Sequence, residues 1–178
     1  MSMIIDGTNG LTYPGGQLEV GPLTAGTAQA STSGTSIDFT GIPSWVKRVF
    51  VMLNGVSTSG TSVFQIQLGS GSPTTSGYNS IGTGITGTTL STVTNNTTGF
   101  GLVNEGGTAA SLRVGLFIFT NISGNIWAAS FQYALTDANR SLWGAGNVTL
   151  SGALDRVRLT TVNGTDTFDA GSINIMYE

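Results

Sequence analysis

The sequence predicts an all-β protein, an antiparallel and jelly-roll-like β-sandwich preceded by an extended N-terminal arm. Short segments alternate apolar and polar residues with the period of two that is typical of a half-buried strand. Turn signals rich in glycine and asparagine separate these segments, because both residues accept the backbone angles of a tight reversal. No segment of ten residues shows the 3.6-residue apolar period of an amphipathic helix.

The length and composition divide the chain into an arm and one domain. The 178 residues suit a single domain, since domains commonly run to about 100–200 residues. Residues 26–35 are a low-complexity run of alanine, threonine, serine and glycine with too little apolar surface to fold alone. We therefore predict an arm over residues 1–35, either a loose leader or an attachment element, and a sandwich over residues 36–178.

The small number of basic residues excludes two classes of partner, nucleic acid and anionic lipid. Charged residues make up 8% of the chain, against about 25% in an average globular protein. With six Lys and Arg and a net charge of −3, no basic surface for nucleic acid or for anionic lipid is expected. The most apolar stretch, residues 112–133, is interrupted by polar and charged residues, so no membrane insertion is predicted. Residues 1–10 lack the basic segment of an export signal.

The first predicted strands lie at residues 37–39, 49–53 and 64–68. The second is apolar on both faces, which is typical of a central strand, and Asn54-Gly55 follows it as a turn. In the third, Gln65 and Gln67 alternate with apolar residues, which predicts a half-exposed strand. Further short strands are predicted near residues 100–102 and 148–150.

Residues 112–119 and 126–133 form the strongest predicted hairpin, with a turn at residues 121–124. One of its faces is aliphatic and the other is aromatic. Core packing is the first interpretation of the aromatic face, because sandwich interiors need large side chains. A seam between subunits is the alternative if the aliphatic face already fills the core, and a sugar-stacking platform is the third. The aromatic face consists of Phe117, Phe119, Trp127, Phe131 and Tyr133.

Two stretches are predicted to be loops that contact a partner. Residues 69–96 are rich in glycine, serine and threonine, with Tyr78 as one of a few isolated anchors, and so long a loop is usually functional. Residues 137–146 are polar and turn-like, with Trp143 embedded in them. That Trp either covers the core or is an exposed binding residue. The candidate contact residues are Trp143, Tyr78, Asn139 and Arg140.

Two strands are predicted in the last two dozen residues. Val157, Leu159 and Thr161 mark the first, and Asn163-Gly164 supplies a turn. Apolar residues alternate again from Ile173 to the end of the chain. A terminal strand that faces the core is held by its sheet, so its deletion is expected to destroy the fold.

Residue types exclude most catalysis. Without His or Cys, neither Ser-His-Asp nor Cys-His arrangements nor a His-bearing zinc site is possible. Paired carboxylates remain as an option for glycoside cleavage, the candidates being Asp137, Asp155, Asp166 and Asp169. The last two flank a turn, where Asp commonly binds backbone groups. We predict that the protein is not an enzyme and uses no cofactor or metal, while Ca²⁺ at Asp166 and Asp169 is left open.

Two stretches of the sequence also resemble a known family. DRVRLTTVNGTDTFDAGSINIMYE, residues 155–178, resembles the C-terminal signature of a β-rich domain of tailed-bacteriophage tail-fibre and virion-associated structural proteins. SIDFTGIPSWVKRVFVMLNGVSTSGTS, residues 36–62, resembles the start of the same domain, and the likeness is loose over residues 69–147. IIDGTNGLTYPGG, residues 4–16, resembles segments that precede the trimeric domains of phage fibres. The resemblance implies a virion location, a homotrimer and no catalysis.

Two virion roles follow from this resemblance. In a tail-fibre tip or receptor-binding module for host attachment, residues 69–96 and 137–146 would contact host surface glycan. In a head decoration, minor capsid or cement protein, residues 1–35 and one sandwich edge would bind the major capsid protein. Other virion proteins of head, tail or baseplate are the expected partners. The alternative is a soluble carbohydrate-binding module that is not attached to a virion.

Overall fold

The computed structural model describes residues 4–6, 10–13, 16–17, 23–91, 93–101, 108–109 and 111–178. These residues contain seventeen β-strands and no helix, and every pairing between the strands is antiparallel. The all-β class predicted from period-two alternation is confirmed.

The strands, in chain order, are β1 (Ile4–Asp6), β2 (Gly10–Tyr13), β3 (Gly16–Gln17), β4 (Thr24–Ala25), β5 (Gln29–Ala30), β6 (Ser36–Thr40), β7 (Arg48–Thr58), β8 (Phe64–Ser70), β9 (Ser72–Pro73), β10 (Asn79–Thr86), β11 (Thr89–Leu90), β12 (Thr94–Asn96), β13 (Arg113–Ser123), β14 (Ile126–Leu135), β15 (Arg140–Thr149), β16 (Arg156–Thr161) and β17 (Phe168–Tyr177).

Two of the three sheets form the sandwich. The large sheet has ten strands in the order β11-β10-β15-β14-β13-β7-β17-β4, with β12 paired to β10 and β5 paired to β17. The small sheet has the order β6-β16-β8-β9, and β1, β2 and β3 form a separate sheet. The ring of Phe64 on the small sheet lies 5.9 Å from that of Phe117 and 6.3 Å from that of Tyr133 on the large sheet. These contacts between layers identify a β-sandwich with an aromatic core.

The β13–β14 hairpin supplies the aromatic part of that core. Phe117 pairs with Phe131 across the two strands, and their rings stack with centroids 5.0 Å apart. Because side chains alternate along a strand, the aliphatic residues of the same hairpin face away from the small sheet. The hairpin predicted from the sequence is confirmed.

The two strands predicted near the end of the chain form, but in different sheets. β16 lies between β6 and β8 in the small sheet, whereas β17 pairs with β7 in the large sheet. Gly164, with a φ of 68°, makes the turn at which the chain leaves the small sheet. Ile173 and Ile175 of β17 are buried in the core beside Val51 of β7, which confirms the expectation of a central β7.

The loop predicted over residues 69–96 contains the strand β10, and most of the loop predicted over residues 137–146 is the strand β15. The two strands pair over eight consecutive positions. The sequence pattern of β10 is inverted, since Ser80, Gly82 and Gly84 are buried while Ile81 is exposed. A search for a period-two apolar pattern therefore does not find strand β10, because small residues occupy its inward positions.

Glycine is required on the inner face of β15 because large aromatic rings lie beside it. Gly144 pairs with Phe131, and a Cβ atom placed on that glycine would lie 2.3 Å from Cζ of the Phe131 ring. A Cβ atom on Gly146 would lie 2.2 Å from the carbonyl oxygen of Asn79 on β10. The glycines that suggested a loop thus make room for the core aromatics and for a close neighbouring strand.

The strand β8 is buried on both faces, so the prediction of a half-exposed strand was wrong. The segment that contains β12 covers its glutamine face. Oε1 of Gln65 accepts hydrogen bonds from Nδ2 of Asn96 (3.1 Å) and Oγ1 of Thr98 (2.8 Å), while Nε2 of Gln67 donates to the carbonyl oxygen of Thr98 (2.9 Å). Polar residues are buried here because each finds a partner, which a hydropathy pattern does not reveal.

Part of the predicted arm belongs to the sandwich. β4 and β5 extend the large sheet beside β17, and the amide of Gly26 donates to the carbonyl oxygen of Ile175 at 2.8 Å. Ser31 is fully buried. Nε2 of Gln29 donates a hydrogen bond to the carbonyl oxygen of Asp38 on β6 at 2.9 Å. Residues 24–31 therefore close one side of the sandwich between its two sheets.

Candidate interaction surfaces

Trp143 lies in the middle of β15 and not in a loop. It pairs with Gln132 of β14 on one side and with Thr83 of β10 on the other. Its side chain points away from the core and is 40% exposed, whereas its neighbour Leu142 is buried. Trp143 is therefore part of a sheet surface, and its loop assignment was wrong.

Tyr78, the second predicted contact residue, is buried and does not reach the surface. Its hydroxyl accepts a hydrogen bond from the amide of Leu68 (2.9 Å) and donates to the carbonyl oxygen of Thr74 (3.0 Å). Its ring meets that of Phe100 edge-on at 4.9 Å. Burial raises the pKa of the hydroxyl above its ordinary value. Tyr78 is therefore a structural residue, which connects the segment that follows β9 to strand β8.

We expect Tyr78→Phe to lower the free energy of unfolding by about 1–3 kcal/mol, because the buried amide of Leu68 would lose its partner. The loss is measured as a shift in urea denaturation at pH 7. Tyr177→Phe is the matched control, because Tyr177 is only partly buried. An unchanged midpoint for Tyr78→Phe would contradict the structural role of the hydroxyl.

Asn139 and Arg140 lie at one end of the sandwich. Asn139 is in the turn before β15 and has a φ of 51°, a left-handed conformation that Asn tolerates better than most residues. Arg140 begins β15 opposite Thr86 of β10. The amide of Gly87, in the turn between β10 and β11, approaches the carbonyl oxygen of Asn139 at 3.4 Å. Two turns thus meet at this end.

The predicted contact residues do not form one cluster. Arg140 and Trp143 share β15, with Asn139 just before it, while Tyr78 is inside the protein. Leu90 is one of the isolated apolar anchors of the loop predicted over residues 69–96 but is not among the four candidate contact residues, and it is 64% exposed on β11. Turn residues and Leu90 are available for contact at this end.

The five aromatic residues considered as a seam between subunits lie inside one chain. None of their side chains is more than 2% exposed, and Phe117 and Tyr133 contact Phe64 of the small sheet. They therefore are not accessible to a second subunit, and the seam interpretation was wrong for Phe117, Phe119, Trp127, Phe131 and Tyr133.

The opposite face of the same sheet is uncharged at its centre and carries many exposed or half-buried apolar side chains in the part of the chain that the structure describes. We define the outer face of the large sheet as the outward side chains of β10, β15, β14, β13, β7 and β17. Two rows of paired residues cross its centre. The rows are Asn174–Met52–Leu116–Gln132–Trp143–Thr83 and Met176–Phe50–Ile118–Ser130–Ala145–Ile81.

The outer face carries exposed apolar side chains and a shallow depression. Leu116 is 36% exposed and Trp143 is 40% exposed. Leu116 and Gly115 both line a shallow depression on this face. A Cβ atom on Gly115 would lie 2.4 Å from Cα of Tyr133, so no larger residue fits the strand there. The remaining residues around the depression include Val114, Ala134 and Ser141.

Two ion pairs lie on the opposite side of the molecule. On the outer side of the small sheet, Arg158 forms two hydrogen bonds to the carboxylate of Asp38, at 2.7 and 2.8 Å. Arg156 donates to Asp155 at 2.8 Å and thereby lowers the pKa of that carboxyl group. The two rows across the outer face of the large sheet contain no charged residue. The two outward surfaces of the sandwich thus differ in chemistry.

The candidate carboxylates form separate local hydrogen bonds. Asp166 accepts from the amide of Ser62 (2.8 Å) and from Nδ2 of Asn163 (2.7 Å), whereas Asp169 accepts from the hydroxyl of Ser57. Asp166 lies in the connection between β16 and β17, where Asp commonly binds backbone groups, whereas Asp169 lies in β17 and links it to β7. Within the described ranges, no group of three or more potential metal-binding side chains is found.

No family model matches this chain, and comparisons with curated proteins and with solved structures find no significant match. In the part of the chain that the structure describes, no helix has the length and apolarity to cross a membrane.

Proposed function

We propose that this chain is a non-enzymatic structural protein of a bacteriophage virion, a homotrimeric β-sandwich that projects from the particle. The observation that carries the proposal is the pairing of the two stretches that resemble phage proteins. Strand β6 of the first stretch pairs with β16 of the second, and β7 pairs with β17. The resemblance therefore covers one structural unit that spans both sheets and not two unrelated segments.

The roles of the carboxylates support a structural function. Asp155 binds Arg156 and the amide of Gly71, Asp166 holds the turn before β17, and Asp169 links β17 to Ser57 of β7. Each is engaged in a contact that stabilises a connection between strands. A glycosidase needs two carboxyl groups directed at one bond of the substrate.

The exposed end of the sandwich favours a role in host attachment. The turn at Asn139 meets the β10–β11 turn, with Leu90 exposed beside it. Loops at one end of a rigid sandwich are a common place for binding residues. In this role the protein is a tail-fibre tip, and its partner is a host surface glycan.

The N-terminal segment favours a role in head decoration. β4 and β5 pair with β17 of the large sheet, and the N-terminal segment is connected to the domain through these two strands. Such a segment suits attachment to another virion protein, such as the major capsid protein.

The carbohydrate-binding module without a virion is the second candidate, and the exposed Trp143 favours it because an aromatic face can stack on a sugar ring.

Immunogold electron microscopy of intact phage, with an antibody against this chain, separates these functions. We expect label on the particle. Label over the head would establish decoration, whereas label confined to the tail would establish a fibre or baseplate role. Particles without label would contradict the virion proposal. The carbohydrate-binding module that is not attached to a virion would then be the favoured function.

A further inference from the structure

We infer that the outer face of the large sheet is the contact surface between copies of this chain. The inference rests on the proposed homotrimer and names the surface that forms it. It replaces the aromatic seam considered above, because the aromatic residues fill the core and leave the aliphatic side of the same strands uncovered. Exposed apolar patches of several hundred Å² mark interaction sites on soluble proteins.

The area of the face is of the order of one standard interface, which a trimer would divide between two neighbours. Six strands cross it, and β10 and β15 pair over eight positions. Strands about 4.8 Å apart, with a rise of about 3.3 Å per residue, give a projected area of roughly 600 Å². A standard interface buries about 800 Å² of accessible surface per partner, and accessible surface exceeds projected area because side chains make the face uneven.

The residue types fit the centre of a protein interface. Such centres are depleted in charge and enriched in aromatic residues and Met. The outer face carries Trp143, Phe50, Met52 and Met176 in its two central rows, which contain no charged residue. Arg48 and Glu178, adjacent to these rows at one end, form an ion pair with each other.

The same chemistry selects a second copy as the partner. The two central rows contain no charged residue, so they meet their own copies without like-charge repulsion and offer no attraction for a strongly charged partner. Trp143 is 40% exposed, and a shallow depression lined by Val114 and Leu116 lies on the same face, so the face offers both a large exposed side chain and a depression for packing between copies. Three copies that turn this face toward one threefold axis would each pack part of it against both neighbours, which gives a closed assembly.

The test introduces one charge on each side of the sandwich. Ser130 is exposed between Ile118 and Ala145, so Ser130→Glu places a carboxylate on the outer face without disturbing the core. Thr40→Glu is the matched control, because Thr40 is exposed on β6 opposite Arg156 in the small sheet. Light scattering coupled to gel filtration measures the mass, and far-ultraviolet circular dichroism verifies the fold.

We expect a wild-type mass of about 55 kDa, three times the 18.2 kDa of one chain, and the same mass for Thr40→Glu. Ser130→Glu is expected to elute at 18.2 kDa, because assembly would bury an unpaired carboxylate from each copy. Should Ser130→Glu not fold, the isosteric Gln132→Glu, also exposed on this face, gives the same test.

Two results would overturn the inference. A folded Ser130→Glu that remains a trimer would show that another surface joins the copies, and the proposed homotrimer would stand. A monomeric wild type would remove both the interface and the trimer. The virion location is tested separately by the gold label, so these failures can be distinguished from failure of the proposed location.

Discussion

Removal of residues 172–178 is expected to give insoluble protein. These residues form most of β17, which lies between β7 on one side and β4 and β5 on the other. Their loss would remove the buried side chains of Ile173 and Ile175 and would expose the backbone edge of β7 in the middle of the large sheet. An open, apolar strand edge is a template for aggregation.

Expression of the truncated chain and assay of the soluble fraction measure this effect. Glu178→Gln is the control, because it removes only the exposed ion pair with Arg48 and is expected to cost less than about 1 kcal/mol. A soluble truncated chain that unfolds cooperatively on heating would contradict the assignment of β17 as a central strand.

Phe117→Ala is expected to lower the free energy of unfolding by about 3–5 kcal/mol. The ring of Phe117 is fully buried and lies within 6 Å of the ring centroids of Phe64, Phe131 and Tyr133. Its removal would leave a cavity at the centre of the contact between the two sheets, because neighbouring rings on rigid strands cannot close it. Since domains are stable by only about 5–15 kcal/mol, this single change is severe.

Chemical denaturation of the two proteins side by side gives the difference in stability. Ile122→Ala is the control, because Ile122 is an apolar residue of the same strand that is 61% exposed near the hairpin turn. Its expected effect is within about 0.5 kcal/mol. Equal losses for the two variants would contradict the distinction between core and surface in β13.

The aromatic hairpin illustrates how far the sequence predicts the fold. Alternation in β13 and β14 predicts two faces and a turn, and both are confirmed. Because both faces are apolar, the sequence left open which of them packs against the core. The small sheet decides this, since its Phe64 meets the rings of Phe117 and Tyr133.

The strands β10 and β15 illustrate where sequence patterns fail. Gly82, Gly84 and Gly144 suggest loops, yet they occupy inward positions of strands. The requirement for glycine at 144 comes from the ring of Phe131, which lies thirteen residues earlier in the chain. Only the tertiary structure brings the two together. The misplacement of Trp143 in a loop had the same origin.

The sequence by itself determined the all-β class, the strongest hairpin and the terminal strand, because these depend on local alternation of apolar and polar residues. It also excluded chemistry based on His or Cys, because those residues are not present. Only the tertiary structure decided that residues 24–31 join the large sheet, that Tyr78 is buried and that the aliphatic face remains uncovered. Each of these depends on contacts between distant parts of the chain, and a local pattern of apolar and polar residues does not identify the distant segment that a residue contacts.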